Sequence, residues 1–381
     1  MHFRLNEDQE AFAGAVRDFA RSELKKDAVE LAHEPGYPWD VAKKLAKNNL
    51  LGLTLKEEDG GQGASLMDAV IAIQEVAYAS PKAADIVQAG SFGAIRTLAQ
   101  YATPEQKERY LPGLLSGEKL ISLGMSESEA GSAVTELRTT AVQDGDAYVI
   151  NGTKIYGTHS PEATLYLVYV RFGPGTGNIG SVLVERDTPG FTLGARHEYM
   201  SGEEWSELVF EDCRIPAENV LLGPGGFKKQ ISGFNVERIG NSARALALGR
   251  YAYNEAREHA VVREQFGKAL CEFQGLQWKF ADMAVKLEAA QLLLYKAATS
   301  ADNGLPSAYD TSVAKLACNT AGFDCANEAL QVMGGLGYST DSLVEYCLRR
   351  TRGWMIAGGS LEMLRNRIAE SVFDRRFDQR R

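Results

Sequence analysis

The sequence predicts an α+β fold in three parts: a helical N-terminal domain, an antiparallel β middle domain and a helical C-terminal domain. Three observations carry this reading. Apolar residues recur at helical three-and-four spacing up to about Lys119. Short β-branched runs replace that spacing from Ile121 to about Gly226. The helical period then returns, in longer segments, from Phe234 onward. The boundaries implied are 1–120, 121–230 and 231–381.

In the first part, Phe12, Val16, Phe19 and Ala20 share one helical face, and Val41, Leu45 and Leu50 continue the pattern. The breaks EPGYP and EEDGGQG punctuate it. Thr103-Pro104-Glu105-Gln106 reads as a helix start, with a capping threonine, proline in the first turn and early negative charge. In the second part, AYVINGTKIYG reads as two short strands joined by a tight Asn151-Gly152 turn, because that dipeptide tolerates the positive φ of a hairpin. TLYLVYVRF, IGSVLVER and SELVFEDCRIP supply further strands. In the third part, RALALGRYAYNEAREHAVV, FQGLQWKFADMAVKLEAAQLLLYKAA and SVAKLACNTAGFDCANEALQVM are long amphipathic helices.

Composition narrows the function. The 381 residues are 45% hydrophobic and 24% charged, ordinary for a soluble globular chain. A net charge of −9 argues against general nucleic-acid binding, which needs a basic face. No run approaches the length of a membrane span, and the charged N-terminus has no signal-peptide core, so no membrane association is expected. The five cysteines are scattered without a CxxC pair, and the five histidines form no metal-ligand set with them, which fits a reducing cytoplasm and predicts no metal site.

Six phrases occur in a telling order: TPEQKERYLPGLLSGEK, MSESEAGSA, NGTKIYGTHS, REQFGK, QVMGGLGY and IAGGSLEMLRN. With the helix–sheet–helix layout, they make the chain resemble the flavin-dependent acyl-CoA dehydrogenase family over essentially its whole length. The resemblance implies that family's fold, with the last part a four-helix bundle, and FAD as cofactor. It implies removal of an α proton from an acyl-CoA thioester by a base and of the β hydrogen as hydride to flavin N5. It also implies a homotetramer that passes electrons to an electron-transfer flavoprotein.

Residue roles follow from the same resemblance. Ser126 would contact the flavin edge and Ser132 the CoA side, in a loop where Ser128 and Ala133 replace the family's proline and aspartate. Tyr156 would stack on the flavin where tryptophan is usual, and Thr158 would bond near N5. Arg263, Phe266, Gln331, Gly334 and Gly335 would hold the FAD pyrophosphate and adenosine, often across a subunit boundary. Arginine's charged fork and glycine's exposed amides suit that anion. Phe234, Asn235 and Arg238 would line CoA, and Ser360 and Glu362 would lie near the ribityl or adenosine part. Read without the resemblance, most of these are ordinary polar, aromatic or glycine positions.

WMIAGGSLE departs from the family. Where most members carry Y-E-G-T, with the catalytic glutamate, this chain has Ala357-Gly358-Gly359-Ser360. One explanation is that the base has moved to Glu237 in FNVER, the position used by isovaleryl-CoA dehydrogenase-like members. Read locally, Glu237 is instead a first-turn acid favouring a helix dipole. A second explanation, compatible with the first, is that Ala357 and Gly358 enlarge the acyl pocket for an α-branched or alicyclic group. Asp85, a surface acid by default, would then face the pocket as a polar contact or second base. The third is redirected chemistry: a lyase resembling desulfinases, or a non-catalytic acyl-CoA or flavin binder.

Overall fold

A computed structural model describes residues 4–300 and 305–377. The helices are α1 (Glu7–Glu23), α2 (Ala28–His33), α3 (Trp39–Lys47), α4 (Leu66–Ala77), α5 (Pro81–Ala89), α6 (Gly93–Tyr101) and α7 (Pro104–Leu115). After the sheet come α8 (Phe227–Val262), α9 (Gln274–Thr299), α10 (Ala308–Met333), α11 (Gly335–Tyr338), α12 (Leu343–Trp354) and α13 (Leu361–Val372). The strands are β1 (Ile121–Gly124), β2 (Thr140–Asp144), β3 (Ala147–Lys154), β4 (Leu165–Arg171), β5 (Ile179–Glu185), β6 (Phe191–Glu198), β7 (Glu204–Pro216) and β8 (Val220–Leu222). A separate two-stranded hairpin joins β9 (Glu264–Gln265) to β10 (Lys268–Ala269). No described helix is long and apolar enough to cross a membrane.

The chain divides into two compact units that cut across sequence order. One holds Met1–Glu34, Ser65–Gln88 and Asn235–Arg381; the other holds Pro35–Ala64 and Ala89–Phe234.

The second unit is built on the eight-stranded sheet, ordered β6-β7-β3-β2-β4-β5-β8 with β1 beside β4. Ile150, Tyr166, Val168, Val170, Val182, Val184, Leu208 and Phe210 fill the core on one side. Leu165, Leu167 and Leu183 point the other way and pack with Ile95, Leu98, Leu111 and Leu114 of α6 and α7. Strand alternation therefore buries β4 and β5 on both faces. The sheet is mostly antiparallel, but β1 runs parallel to β4, and β2 meets β4 in parallel at Thr140.

The Asn151-Gly152 hairpin is not formed. Both residues lie inside β3, where a register shift against β7 between Ile150 and Gly152 marks a β-bulge. Gly152 takes a φ of 143°, and a Cβ there would come within 2.6 Å of the Thr139 side chain. Asn151 exchanges hydrogen bonds with Asp212, accepting from its amide and donating to its carboxylate. The turn falls instead between β2 and β3, where Asp144 pairs with Ala147 around Gly145 at a φ of 64°. The Thr103 start of α7 forms as expected, with a complete Thr103–Gln106 capping box.

The first unit is helical. α10 packs against α9, α12 and α13, and α4 against α1 and α9. Along α10, buried Ala314, Cys318, Ala321, Cys325, Ala329 and Val332 repeat at three-and-four spacing. α8 and α10 approach backbone to backbone: a Cβ on Gly322 would sit 2.2 Å from the Ala245 carbonyl oxygen, so only glycine fits. That close crossing brings polar side chains of α8 and α10 into direct contact.

Candidate active site

The helical unit holds a buried polar layer. In α5 every residue from Pro81 to Gln88 is buried, including three polar ones at three-residue spacing: Lys82, Asp85 and Gln88. Lys82 donates to the Glu34 carbonyl at 2.6 Å. Asp85 pairs with Arg244 of α8 at 2.8 Å and with Arg350 of α12 at 2.5 Å. Gln88 donates from Nε2 to Oε1 of Glu237 at 2.6 Å. The two guanidiniums lie over the Trp354 ring, their carbons 3.4 and 4.3 Å from its centroid. Burial lowers the Arg244 guanidinium to about 10 against the pull of Asp85, and it stays charged at neutral pH.

Below this layer stands Lys315, fully buried on α10. Its ammonium donates to the carbonyls of Trp354, at 3.2 Å, and Gly359, at 2.9 Å. Asn319, one turn on, donates to the Trp354 carbonyl and to Asn241 of α8. Lysine and asparagine thus clamp the turn between α12 and α13. Gly358 and Gly359 take φ of 70° and 95° there, where an L side chain is strained. Burial, aided by Arg238 and opposed by Glu237, lowers the Lys315 amine to about 7.

Around this turn stand several candidates from the sequence. Glu237 is half-buried, and Arg238 is buried and donates to Asn235 at 2.8 Å. Gly358 lies near Lys315 and Asn241, while Ala357 is exposed. Ser360 caps α13 by accepting from the Met363 amide, and exposed Glu362 sits in that helix's first turn. Asp85 is buried rather than on the surface, and its oxygens face two arginines.

The sheet unit gathers a second set. Glu127 accepts from Lys154 Nζ at 2.7 Å, from the Thr139 hydroxyl at 2.6 Å, and from the amides of Arg138 and Thr139. Burial raises its carboxyl; Lys154 and the other donors more than reverse this, leaving it below the usual range. Burial in turn brings Lys154 down to about 8 against the pull of Glu127. This network anchors the Ser126–Ser132 loop, and the Ser126 carbonyl accepts from the Ile155 amide at 2.9 Å. Beside it Tyr156, at a φ of 62°, presents a ring 57% exposed and backed by Trp205 at 4.7 Å. Thr158 bridges to Trp205 and is exposed, as is Ser132; Phe234 packs partly buried beside Ala130 and Tyr169. A flat aromatic face, an exposed hydroxyl and a rigid polar loop fit the isoalloxazine end of FAD.

The remaining candidates are exposed in the helical unit. Arg263 immediately precedes the β9–β10 hairpin, and Phe266 sits in its turn, 96% exposed. Gln331, Gly334 and Gly335 sit where α10 gives way to α11. Sequence reasoning missed Gln88, Arg244, Arg350, Trp354, Lys315, Asn241 and Asn319. The legible signal was a lone lysine in the apolar run SVAKLAC and a repeating polar position in α5.

Comparison with known proteins accords with this architecture. Residues 6–118, 122–213 and 224–373 match the N-terminal, middle and C-terminal domains of acyl-CoA dehydrogenase. The short-chain specific acyl-CoA dehydrogenase of Clostridium acetobutylicum is 34% identical, over 98% of this chain and 100% of its own. A 3-sulfinopropanoyl-CoA desulfinase from Paraburkholderia xenovorans is 32% identical, over 100% and 99%. The crystal structure of a glutaryl-CoA dehydrogenase from Mycobacterium smegmatis with FADH2 has a TM-score of 0.90 at 26% identity, covering 98% of this chain and 97% of that one. The chain belongs to the acyl-CoA dehydrogenase family of FAD-dependent oxidoreductases.

Proposed function

We propose that this enzyme oxidises an acyl-CoA thioester between its α and β carbons, with Glu237 as the base that takes the α proton. One observation carries the assignment. The turn at 357–360 offers no acid and has glycine-type backbone, while Glu237 acts through its charge on Lys315, which clamps that turn, and its carboxylate accepts from buried Gln88. Bound FAD supplies the hydride acceptor. Ser126, Tyr156 and Thr158 hold the isoalloxazine, Ser132 touches the CoA side, and Arg263, Phe266, Gln331, Gly334 and Gly335 take the pyrophosphate and adenosine. Ser360 and Glu362 lie toward the ribityl or adenosine part, and Phe234, Asn235 and Arg238 line the CoA.

Asp85 has no proton-transfer role in this proposal; its carboxylate keeps Arg244 and Arg350 in place. Ala357 and Gly358 leave room for an α-branched or alicyclic acyl group, which is the substrate class we favour. Trp278, Val285 and Leu292 are exposed at seven-residue spacing on α9, which supports burial against further copies of the chain in a homotetramer. An electron-transfer flavoprotein is the acceptor, and the cytoplasm the compartment, that the family resemblance favours.

The test is anaerobic bleaching of the flavin by a panel of straight, branched and alicyclic thioesters. Glu237→Gln should keep FAD yet slow bleaching by about 10²–10⁴-fold, the usual contribution of a general base. Bleaching at the wild-type rate would remove Glu237 from the mechanism. The similarity to a desulfinase favours a second reading, elimination without net oxidation. It predicts thioester turnover with the flavin colour unchanged.

A further inference from the structure

We propose that Gln88 is the positioning residue of the base: its side-chain amide fixes the Glu237 carboxylate in the orientation that receives the α proton. This rests on the assignment of Glu237 above and adds a residue that the sequence motifs do not mark.

Packing alone gives no reason for glutamine at this place. α5 is buried from Pro81 to Gln88, and leucine would fill similar space without placing an amide away from water. The polar choice makes sense only through its bond. Gln88 Nε2 lies 2.6 Å from Glu237 Oε1, a short contact for a nitrogen donor. A carboxylate accepts and does not donate, so the NH₂ end of the amide must face it. The two residues are 149 positions apart, on different helices, so the bond fixes the carboxylate against a second rigid element.

An amide is also the donor that suits a base. It does not titrate, so it cannot compete for the α proton, and it favours the carboxylate over the carboxylic acid at every working pH. Ionisable groups stand on several helices of this layer, and the Glu237 charge acts on Arg244 and Lys315 among them. Arg244 and Arg238 lie on α8 itself, Asp85 on α5 pairs with Arg244 and with Arg350 of α12, and Lys315 on α10 acts on Glu237 through its charge. These neighbours set a background field. Gln88 adds a directional contact, and directional contacts decide whether a base sits at attack geometry.

The experiment compares the pH dependence of thioester-driven flavin bleaching in the FAD-loaded wild type, Gln88→Leu, Gln88→Glu and Glu237→Gln. In Gln88→Leu the carboxylate loses a charge-assisted donor. The acid limb of the profile should rise by about one to two pH units, with a lower kcat and little change in thioester KM. Gln88→Glu places a second carboxyl against the first, so the pair must share a proton at neutral pH and the limb should move up further. This nearly isosteric variant keeps the test open if the leucine variant folds poorly. A structural role alone would lower FAD content or stability and leave the limb where it was. If Glu237→Gln is inactive while both Gln88 profiles overlay the wild type, the positioning role is wrong and the base assignment stands. If Glu237→Gln bleaches normally, both fall.

Discussion

The two compact units weight their interiors differently: the sheet unit sets buried Lys154 and its partner Glu127 beside a large apolar core, whereas the helical unit gathers several buried charges in one layer. The sheet unit fills its core with Val168, Val170, Val182, Val184, Leu208 and Phe210, side chains whose burial is favourable in almost any orientation. The helical unit buries Asp85, Arg244, Arg350 and Lys315, where each group must meet a partner at the right distance or cost stability. Non-directional burial supplies stability, and a directional network supplies placement. The unit with the larger charged layer is the one that holds Glu237, and we read the cost of that layer as the cost of holding a carboxylate still.

The strongest way to break this contrast is Asp85→Asn, which keeps shape and removes charge. Two buried guanidiniums would then lose the carboxylate they share, and breaking such a pair typically costs about 3–5 kcal/mol. The expected result is a fall of that size in unfolding free energy, read from denaturant midpoints at one saturating FAD concentration, since ligand binding itself adds stability. A loss below about 1 kcal/mol would mean that the layer is solvated in solution and the contrast is false.

Lys315 sharpens the comparison through pH. Burial lowers its amine from 10.5 to about 7. Between these values the unfolded chain keeps the proton and the native chain has released it, so unfolding takes up protons and stability rises with pH. Below about 7 both states are protonated and the burial penalty is present in full. Lys315→Met removes this dependence. The wild type should therefore gain on the variant by about 1.4 kcal/mol per pH unit within that window. Parallel stability–pH curves would show that the native amine holds its proton as tightly as the unfolded one, and that burial does not lower it.

These contrasts also explain what the sequence could show. The Thr103 cap was legible because all of its partners lie within three residues. The helical stripe of α10 was legible because period is local. Asn151-Gly152 misled because the same dipeptide that favours a hairpin also suits a bulge, and distant Thr139 and Asp212 decide between them. Glu237 was visible as a candidate once the glutamate of the family's Y-E-G-T phrase was missing. Gln88 was not, and neither was the pairing of Asp85 with Arg350, 265 positions away. A buried polar residue announces itself in sequence only as an oddity; its meaning lies in a partner that periodicity does not reveal.

The smallest effect is expected in the sheet unit, and it makes the contrast quantitative. Ile150 is fully buried on β3 within the apolar core. Ile150→Val removes one methylene and keeps the branched Cβ, so the strand's backbone preference is unchanged and only packing is lost. Such a change costs about 0.5–1.5 kcal/mol, because neighbouring side chains close part of the gap. It should leave the acid limb of flavin bleaching where the wild type has it, since no charge or donor is touched. A single hydrogen-bonding group altered at Asp85 should thus outweigh a carbon removed from the sheet by at least twofold. Equal losses would mean that both interiors tolerate change alike, and that buried charge in the helical unit has no special part in holding Glu237.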